Sequence, residues 1–343
     1  MKAAIHHSFG GPDVLEVVEV ADPIVGSADA LVGVKATSLN RLDVLQRKGP
    51  GLLPGFSLPH IAGMDVAGEV VAVGADVAAV SVGDRVVANP ALHCGRCAWC
   101  RAGDDGFCPD VMVVGGSRAG GYAELCAVPA THLYRIPASV TYEEAATVPT
   151  AYSTAWHALV VTAKLRVGEW VMIHAAASGV SVAAIQLAKK IGAYVIATAG
   201  SAAKCDLALR LGADAVVNNR SGDIVGAAMQ ATAGRGVDVV FDHVGPALFQ
   251  ASLFAMRPRG RLVFCGTTTG SEATFLLAHA YHFGMQLLGV DPYRYVEFAE
   301  ILAYYWTAGF VPVIDSTYSL AEVAEAQRRL EAGDIVGKVL VIP

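Results

Sequence analysis

The sequence predicts an α/β protein of two domains, a compact and partly barrel-shaped β domain and a doubly wound parallel sheet. Three observations carry this. The 343 residues suffice for two cores of ordinary size. The first third holds short Val- and Ala-rich strands broken by glycine. From Glu169 to Val290 apolar strands alternate with helical segments.

Within the first third, alternation marks strands at Ala30–Thr37, Val66–Gly74 and Asp84–Pro90. The texture changes at TYEEAATVPTAYSTAWHAL. Six short apolar strands follow, EWVMIHA, YVIATAG, DAVVN, VDVVFDHVG, RLVFCG and QLLGV. The first intervening helix carries Val180, Ala184, Leu187, Ala188 and Ile191 on one face, and further helices are expected at Lys204–Leu211 and Leu248–Met256. Right-handed crossovers place the ligand-facing loops of such a sheet at the carboxyl ends of its strands. The residues after 290 hold two helices and the strand GKVLVIP, too little for a third domain, and are expected to complete the first. The expected division is 1–148 with 291–343, and 149–290.

Composition narrows the class. The chain is 54% hydrophobic and 16% charged, a packed rather than disordered composition. Its net charge of −6, without a long basic block, argues against nucleic acid as a partner. The N-terminus lacks the apolar core of a secretion signal and no apolar run is long enough to span a membrane, so a soluble, cytoplasmic protein is expected. Cys126, Cys205 and Cys265 lie far apart in apolar segments and read as core residues, with no disulfide framework.

The junction at residues 174–188 is where a Rossmann sheet holds a pyrophosphate, on small residues and a helix N-terminus. Here the turn reads Ser178, Gly179, Val180, Ser181, so only the middle glycine of the usual pattern is kept. A turn merely rich in small residues is the alternative. The second strand ends in Thr198, Ala199, Gly200 and Ser201, with Lys204 on the next helical turn and no carboxylate at the tip. Hydroxyls and a lysine favour NADP(H), because an acidic residue there would repel a 2′-phosphate. For Lys204 a solvated helix position is the competing reading.

Cys94, Cys97, Cys100 and Cys108 form a C-x2-C-x2-C-x7-C cluster. Four thiolates complete a tetrahedral zinc and leave no open position for substrate, so this cluster reads as a structural metal site. An iron–sulfur cluster or two disulfides are the alternatives.

Taken together, GGPDVLEV, VKATSLNRLDVLQRKG, VGADVAAVSVGDRV, the Gly179 turn, GSAAKCDLALRLGADAVVN, VVFDHVG and GKVLVIP resemble the medium-chain dehydrogenase/reductase superfamily over nearly the whole chain. Within it the chain looks more like the quinone oxidoreductase branch than the zinc alcohol dehydrogenases. The resemblance implies a GroES-like catalytic domain completed by the C-terminal residues, a Rossmann cofactor domain and an active site in the cleft. The cysteine cluster matches the family's structural zinc lobe. The catalytic zinc ligands of the alcohol dehydrogenases are replaced here by Asn40, by Met64 with Asp65 in the Gly-His-Glu element, and by a residue near Ala146. Those residues do not make a zinc site. His60, Asp65 and His93 have suitable donor types for another site, with no sign that they converge.

The resemblance makes Asn40 and Asp43 candidate catalytic residues, Asn40 orienting substrate and Asp43 fixing its loop, unless Asp43 only pairs with Arg41 or Arg47. Asp65 and Tyr152 complete the catalytic candidates, Tyr152 as a proton donor. Thr150 is expected near the nicotinamide, His243, Gly245, Gly266 and Thr267 along the carboxyl edge, and Leu288, Gly289 and Val290 beside the nicotinamide. The expected activity is NADPH-dependent reduction of a quinone, enone or carbonyl substrate without catalytic zinc. A divergent alcohol dehydrogenase and a non-catalytic dinucleotide-binding protein are the alternatives. A homodimer or homotetramer is implied by the family, with QLLGV as an apolar edge strand.

Overall fold

The structure, a computed structural model, describes residues 1–51 and 53–343. In chain order it contains β1 (Asp29–Ser38), α1 (Arg41–Lys48), β2 (Asp65–Val73), β3 (Arg85–Ala88), β4 (Leu125–Pro129) and β5 (Leu133–Arg135). These are followed by β6 (Trp170–Ile173), α2 (Gly179–Ile191), β7 (Tyr194–Ala199), α3 (Ala202–Arg210), β8 (Ala215–Asn218) and α4 (Ile224–Ala231). Then come β9 (Val237–Asp242), α5 (Pro246–Ala255), β10 (Met256–Phe264), α6 (Leu277–His282) and β11 (Gln286–Gly289). The chain closes with α7 (Tyr295–Ala308), β12 (Ile314–Ser319), α8 (Val323–Ala332) and β13 (Lys338–Ile342). It divides into two units, Met1–Thr150 with Arg294–Pro343, and Ala151–Tyr293.

The first unit is built on a sheet in the order β12-β13-β1-β2-β3-β5. Strand β1 is shared lengthwise. Its first half pairs with β4 (Asp29 opposite Pro129), and its end pairs with β13 (Ser38 opposite Leu340). The other edge of β1 is covered by β2, where Ser38 stands opposite Asp65. The alternating valines expected to face inward do so: Val32, Val34, Val66, Val70 and Val86 form one buried cluster. The C-terminal residues thus complete this unit, because β13 fills an otherwise open edge of β1 and satisfies its ladder.

The second unit is a six-stranded sheet in the order β8-β7-β6-β9-β10-β11, every neighbouring pair parallel. Parallel strands covered on both faces need apolar side chains throughout rather than alternation, and all six residues of β9 are buried. The strand order reverses between β6 and β9, which leaves a crevice at their carboxyl ends. Helix α2 begins there for local reasons. Ser178 caps it by accepting the Ser181 N–H at 3.2 Å, and Gly192 ends it in the left-handed conformation.

Candidate active site

At the switch point, the end of β9 brings His243 onto the turn that starts α2. His243 Nε2 lies 2.7 Å from Ser181 Oγ and 3.2 Å from Ser178 Oγ. Ser181 spends its own proton on the carbonyl of His174, at 2.6 Å, so the imidazole must carry its proton on Nε2 and donate it to Ser181. Burial lowers the His243 pKa to about 4, and the ring is neutral at pH 7. The serines that replace the usual glycines are therefore cross-braced by an imidazole, a link that spacing alone does not reveal.

A second chain of bonds runs beneath this turn. Ser252 donates to Leu248 O at 2.9 Å and so accepts from His174 Nε2 at 2.8 Å, which leaves His174 Nδ1 to accept the Thr198 hydroxyl at 2.9 Å. Thr198 is fully buried, and its hydroxyl serves this core bond. Gly200, Ser201 and Lys204 follow at the tip of β7 and the start of α3, where Ser201 makes no capping bond with its side chain. Gly245 has φ of +90°, after a turn in which Asp242 Oδ1 accepts the N–H groups of Val244 and Gly245. At Gly266 a Cβ would stand 2.4 Å from the His243 carbonyl oxygen, so its missing side chain makes room for the protein's own backbone. Thr267 is exposed, and Leu288 and Gly289 end β11, with the Val290 N–H on Phe264 O. The Tyr152 hydroxyl is buried and accepts from Gln186 Nε2 at 3.2 Å.

In the first unit one catalytic candidate, Asn40, bonds another, the buried carboxylate of Asp65. Asp65 Oδ1 accepts the Thr150 N–H at 2.9 Å and the Thr150 hydroxyl at 2.6 Å. Its Oδ2 accepts from Ser38, from Asn40 Nδ2 at 2.9 Å and from Lys338 Nζ at 3.1 Å. These donors saturate the lone pairs of the carboxylate. Lys338 also donates to Asn40 Oδ1 at 2.8 Å and to Leu39 O at 2.9 Å, so its three protons are all placed. It is the group that sequence reasoning missed. The motif GKVLVIP is visible in the chain, but the cation in it reaches Asp65 across 273 residues.

Asp43 sits one layer behind, at the third position of α1. Its Oδ2 accepts the Asn40 N–H at 2.7 Å and the Tyr122 hydroxyl at 3.2 Å, and its Oδ1 faces the Gly63 N–H at 3.4 Å. Among the described residues neither Arg41 nor Arg47 pairs with Asp43; Arg47 bonds Gln327, Gly10 O and Glu331 instead. Complete burial pushes the Asp43 carboxyl up to about 7; the Asn40 N–H pulls it back, and the charge of Asp65 raises it further. Since its ordinary value is 3.8, the folded state holds this proton more tightly than the unfolded chain, and stability falls as pH rises from about 4 to about 7. The expected slope is roughly 1 kcal/mol per pH unit within that window. Unfolding free energies measured from pH 4 to 8 should show the wild type losing stability at that slope up to about pH 7, and levelling off above it, relative to Asp43→Asn. Parallel curves would refute it.

The four cysteines come together outside the sheet. One sulfur from each of Cys94, Cys97, Cys100 and Cys108 lies within 4.8 Å of the others, within reach of a single metal ion. Backbone N–H groups of Cys94, Cys97 and Cys100 point at the Cys108, Cys94 and Cys97 sulfurs respectively at 3.4–3.5 Å, an arrangement that suits thiolates. By contrast His60 bonds Gly115 O, His93 lies 4.0 Å from Asp105, and Asp65 is enclosed by its donors, so those three do not form a common set.

Residues 26–138 match the alcohol dehydrogenase GroES-like domain, and residues 179–306 match the zinc-binding dehydrogenase family. The chain is 39% identical, with a TM-score of 0.96 and complete coverage of both chains, to the crystal structure of an NAD-dependent alcohol dehydrogenase. The chain belongs to the medium-chain dehydrogenase/reductase superfamily. Among other members of the superfamily, it is 28% identical, with a TM-score of 0.85 and complete coverage of both chains, to Escherichia coli quinone oxidoreductase complexed with NADPH. It is also 33% identical, over 99% of its own length, to a phenolphthiocerol/phthiocerol polyketide synthase polypeptide of Mycobacterium tuberculosis, of which it spans only 15%. No helix among the described residues is long and apolar enough to cross a membrane.

Proposed function

We propose that this superfamily member is an NADPH-dependent oxidoreductase that reduces a quinone or an activated enone by direct hydride transfer, with zinc held structurally by the four cysteines. The observation that carries the reading is the Asp65 network. Asn40, which stands where the resemblance places one catalytic zinc ligand of the alcohol dehydrogenases, is bonded to Asp65 and to the ammonium group of Lys338, and every lone pair of Asp65 has a donor. The buried carboxylate is neutralised by the chain's own cation. NADPH supplies the hydride when bound. A quinone needs only that hydride and one proton from water. An enone needs a proton on the carbon α to its carbonyl, for which Tyr152 is the candidate donor.

The chain's part is then to bind and orient. The braced turn Ser178–Gly179–Val180–Ser181 with His243 presents the α2 N-terminus to a pyrophosphate. Gly200, Ser201 and Lys204 face the adenosine ribose, with no carboxylate in the tip to oppose a 2′-phosphate. Thr150 and Asn40, tied to the two sides of Asp65, form the polar floor for the acceptor. The exposed apolar side chains of Leu276, Leu277, Tyr281 and Phe283 beside the edge strand β11 favour a homodimer or homotetramer formed at that edge, in the cytoplasm.

A panel of quinones, enones and primary alcohols, assayed before and after mild chelation with zinc measured in the same sample, tests the proposal. NADPH oxidation with quinones or enones should survive chelation, with little alcohol oxidation. Asn40→Ala should lower turnover while leaving NADPH affinity nearly intact. Alcohol oxidation with NAD that disappears with a second metal would select the alcohol dehydrogenase reading that the 39% identical relative suggests. Tight NADPH binding without turnover on any acceptor would select a binding protein.

A further inference from the structure

The carboxyl edge of the sheet carries one more cation than the tip of β7 itself supplies. Ala199 at the end of β7 pairs with Asn218 at the end of β8, and the chain leaving β8 folds back along this edge, with the Asn219 N–H on Ala199 O at 2.9 Å. That bond turns the next residue, Arg220, over the β7 tip. A Cβ added at Gly200 would stand 3.2 Å from Arg220 Nε, 3.6 Å from its Cζ and 3.7 Å from its Nη2. Gly200 has no positive φ that would call for glycine. The flat guanidinium lies against the backbone of Gly200, at the strand tip. The Arg220 N–H is anchored on Asn218 Oδ1 at 3.1 Å, the residue is exposed, and among the described residues no carboxylate pairs with its guanidinium.

An unpaired guanidinium over the ribose end of a dinucleotide sheet has one ligand feature within its reach that distinguishes the two nicotinamide cofactors. We propose that Arg220 is a specificity-determining residue that binds the 2′-phosphate of NADPH. The inference rests on the cofactor reading above. Arginine suits the role better than lysine, because its fork offers two parallel N–H groups to a phosphate. Ser201 and Lys204 follow the neighbouring strand tip in sequence, so Arg220 adds a cation from a second strand end to the one that the cofactor reading already assigns.

Wild type, Arg220→Gln and Arg220→Lys are titrated with NADPH and NADH, and with the fragments 2′,5′-ADP and 5′-AMP. Arg220→Gln is expected to weaken NADPH and 2′,5′-ADP by about tenfold or more, the effect of losing a charge-assisted pair, and NADH and 5′-AMP by less than about twofold. Arg220→Lys should fall between. The salt dependence of NADPH binding should also shrink in Arg220→Gln. Equal losses for phosphorylated and unphosphorylated ligands, or an unchanged NADPH-to-NADH ratio, would overturn the role of Arg220 and leave the NADPH reading standing. Tighter binding of NADH than NADPH by the wild type would overturn that reading itself. Arg220 is exposed, so unchanged thermal melting of the variants should accompany either result.

Discussion

Lys338→Met is expected to destabilise the protein by about 3 to 5 kcal/mol, the range for removing one partner of a buried ion pair. The Lys338 and Asp65 side chains are 7% and 0% exposed. Once the ammonium is gone, Asp65 keeps its neutral donors Ser38, Asn40 and Thr150 but loses its opposite charge, while Asn40 Oδ1 and Leu39 O lose the donor that satisfied them. Methionine fills a similar volume, so the loss reads electrostatics more than packing. The double variant Asp65→Asn/Lys338→Met should be more stable than the sum of the two single changes predicts, because neither charge is then left alone. Denaturant unfolding at pH 7 measures all four proteins. A Lys338→Met protein within about 1 kcal/mol of wild type would show that the pair is not an important stabilising contact.

Cys97→Ser is expected to cost the metal and with it the order of residues 94–108. This segment makes a short α-helix, Ala98–Ala102, with no buried residue, and one 3-10 turn, Asp105–Phe107; Asp105 and Cys108 are buried, while Trp99 and Phe107 pack on each other half in solvent. The four sulfurs are within reach of one ion, and in a loop so poor in core metal-binding energy is folding energy. Zinc analysis should find one ion per wild-type chain and a clear loss in the variant, with new protease cleavage between residues 94 and 108. Hydride transfer per folded molecule should persist, since the closed four-sulfur set has no position for substrate. A variant that keeps its ion and its protease resistance, or one that folds normally yet has lost only turnover, would contradict a structural role.

Much of the architecture was legible because its causes are local. A short, β-branched run such as VDVVFD suits a strand covered on both faces, and β9 is buried at every position. The helix that starts after Ser178 follows from a serine cap and a small-residue turn. The cysteine cluster needs nothing beyond a short loop of chain for its sulfurs to meet, so spacing predicts it. The same local reading overextended at Thr198. It places a hydroxyl at the strand tip, but the side chain at that position of β7 faces the sheet interior and bonds His174. Strand alternation decides which face a residue takes, and one step along the strand reverses it.

The sequence by itself determined the two folding units, the return of the C-terminal segment to the first, the small-residue turn that starts α2 and the four-sulfur cluster, because each rests on periodicity or short spacing. Only the tertiary structure decided what Asp65, His243 and Arg220 do. Strand β13 must pair with β1 before Lys338 meets a carboxylate 273 residues away. The sheet order must reverse between β6 and β9 before His243 braces Ser181, and β8 must lie beside β7 before Arg220 covers Gly200. Charge pairing and hydrogen bonding act over a few ångströms, and strand register alone sets which distant residues come that close.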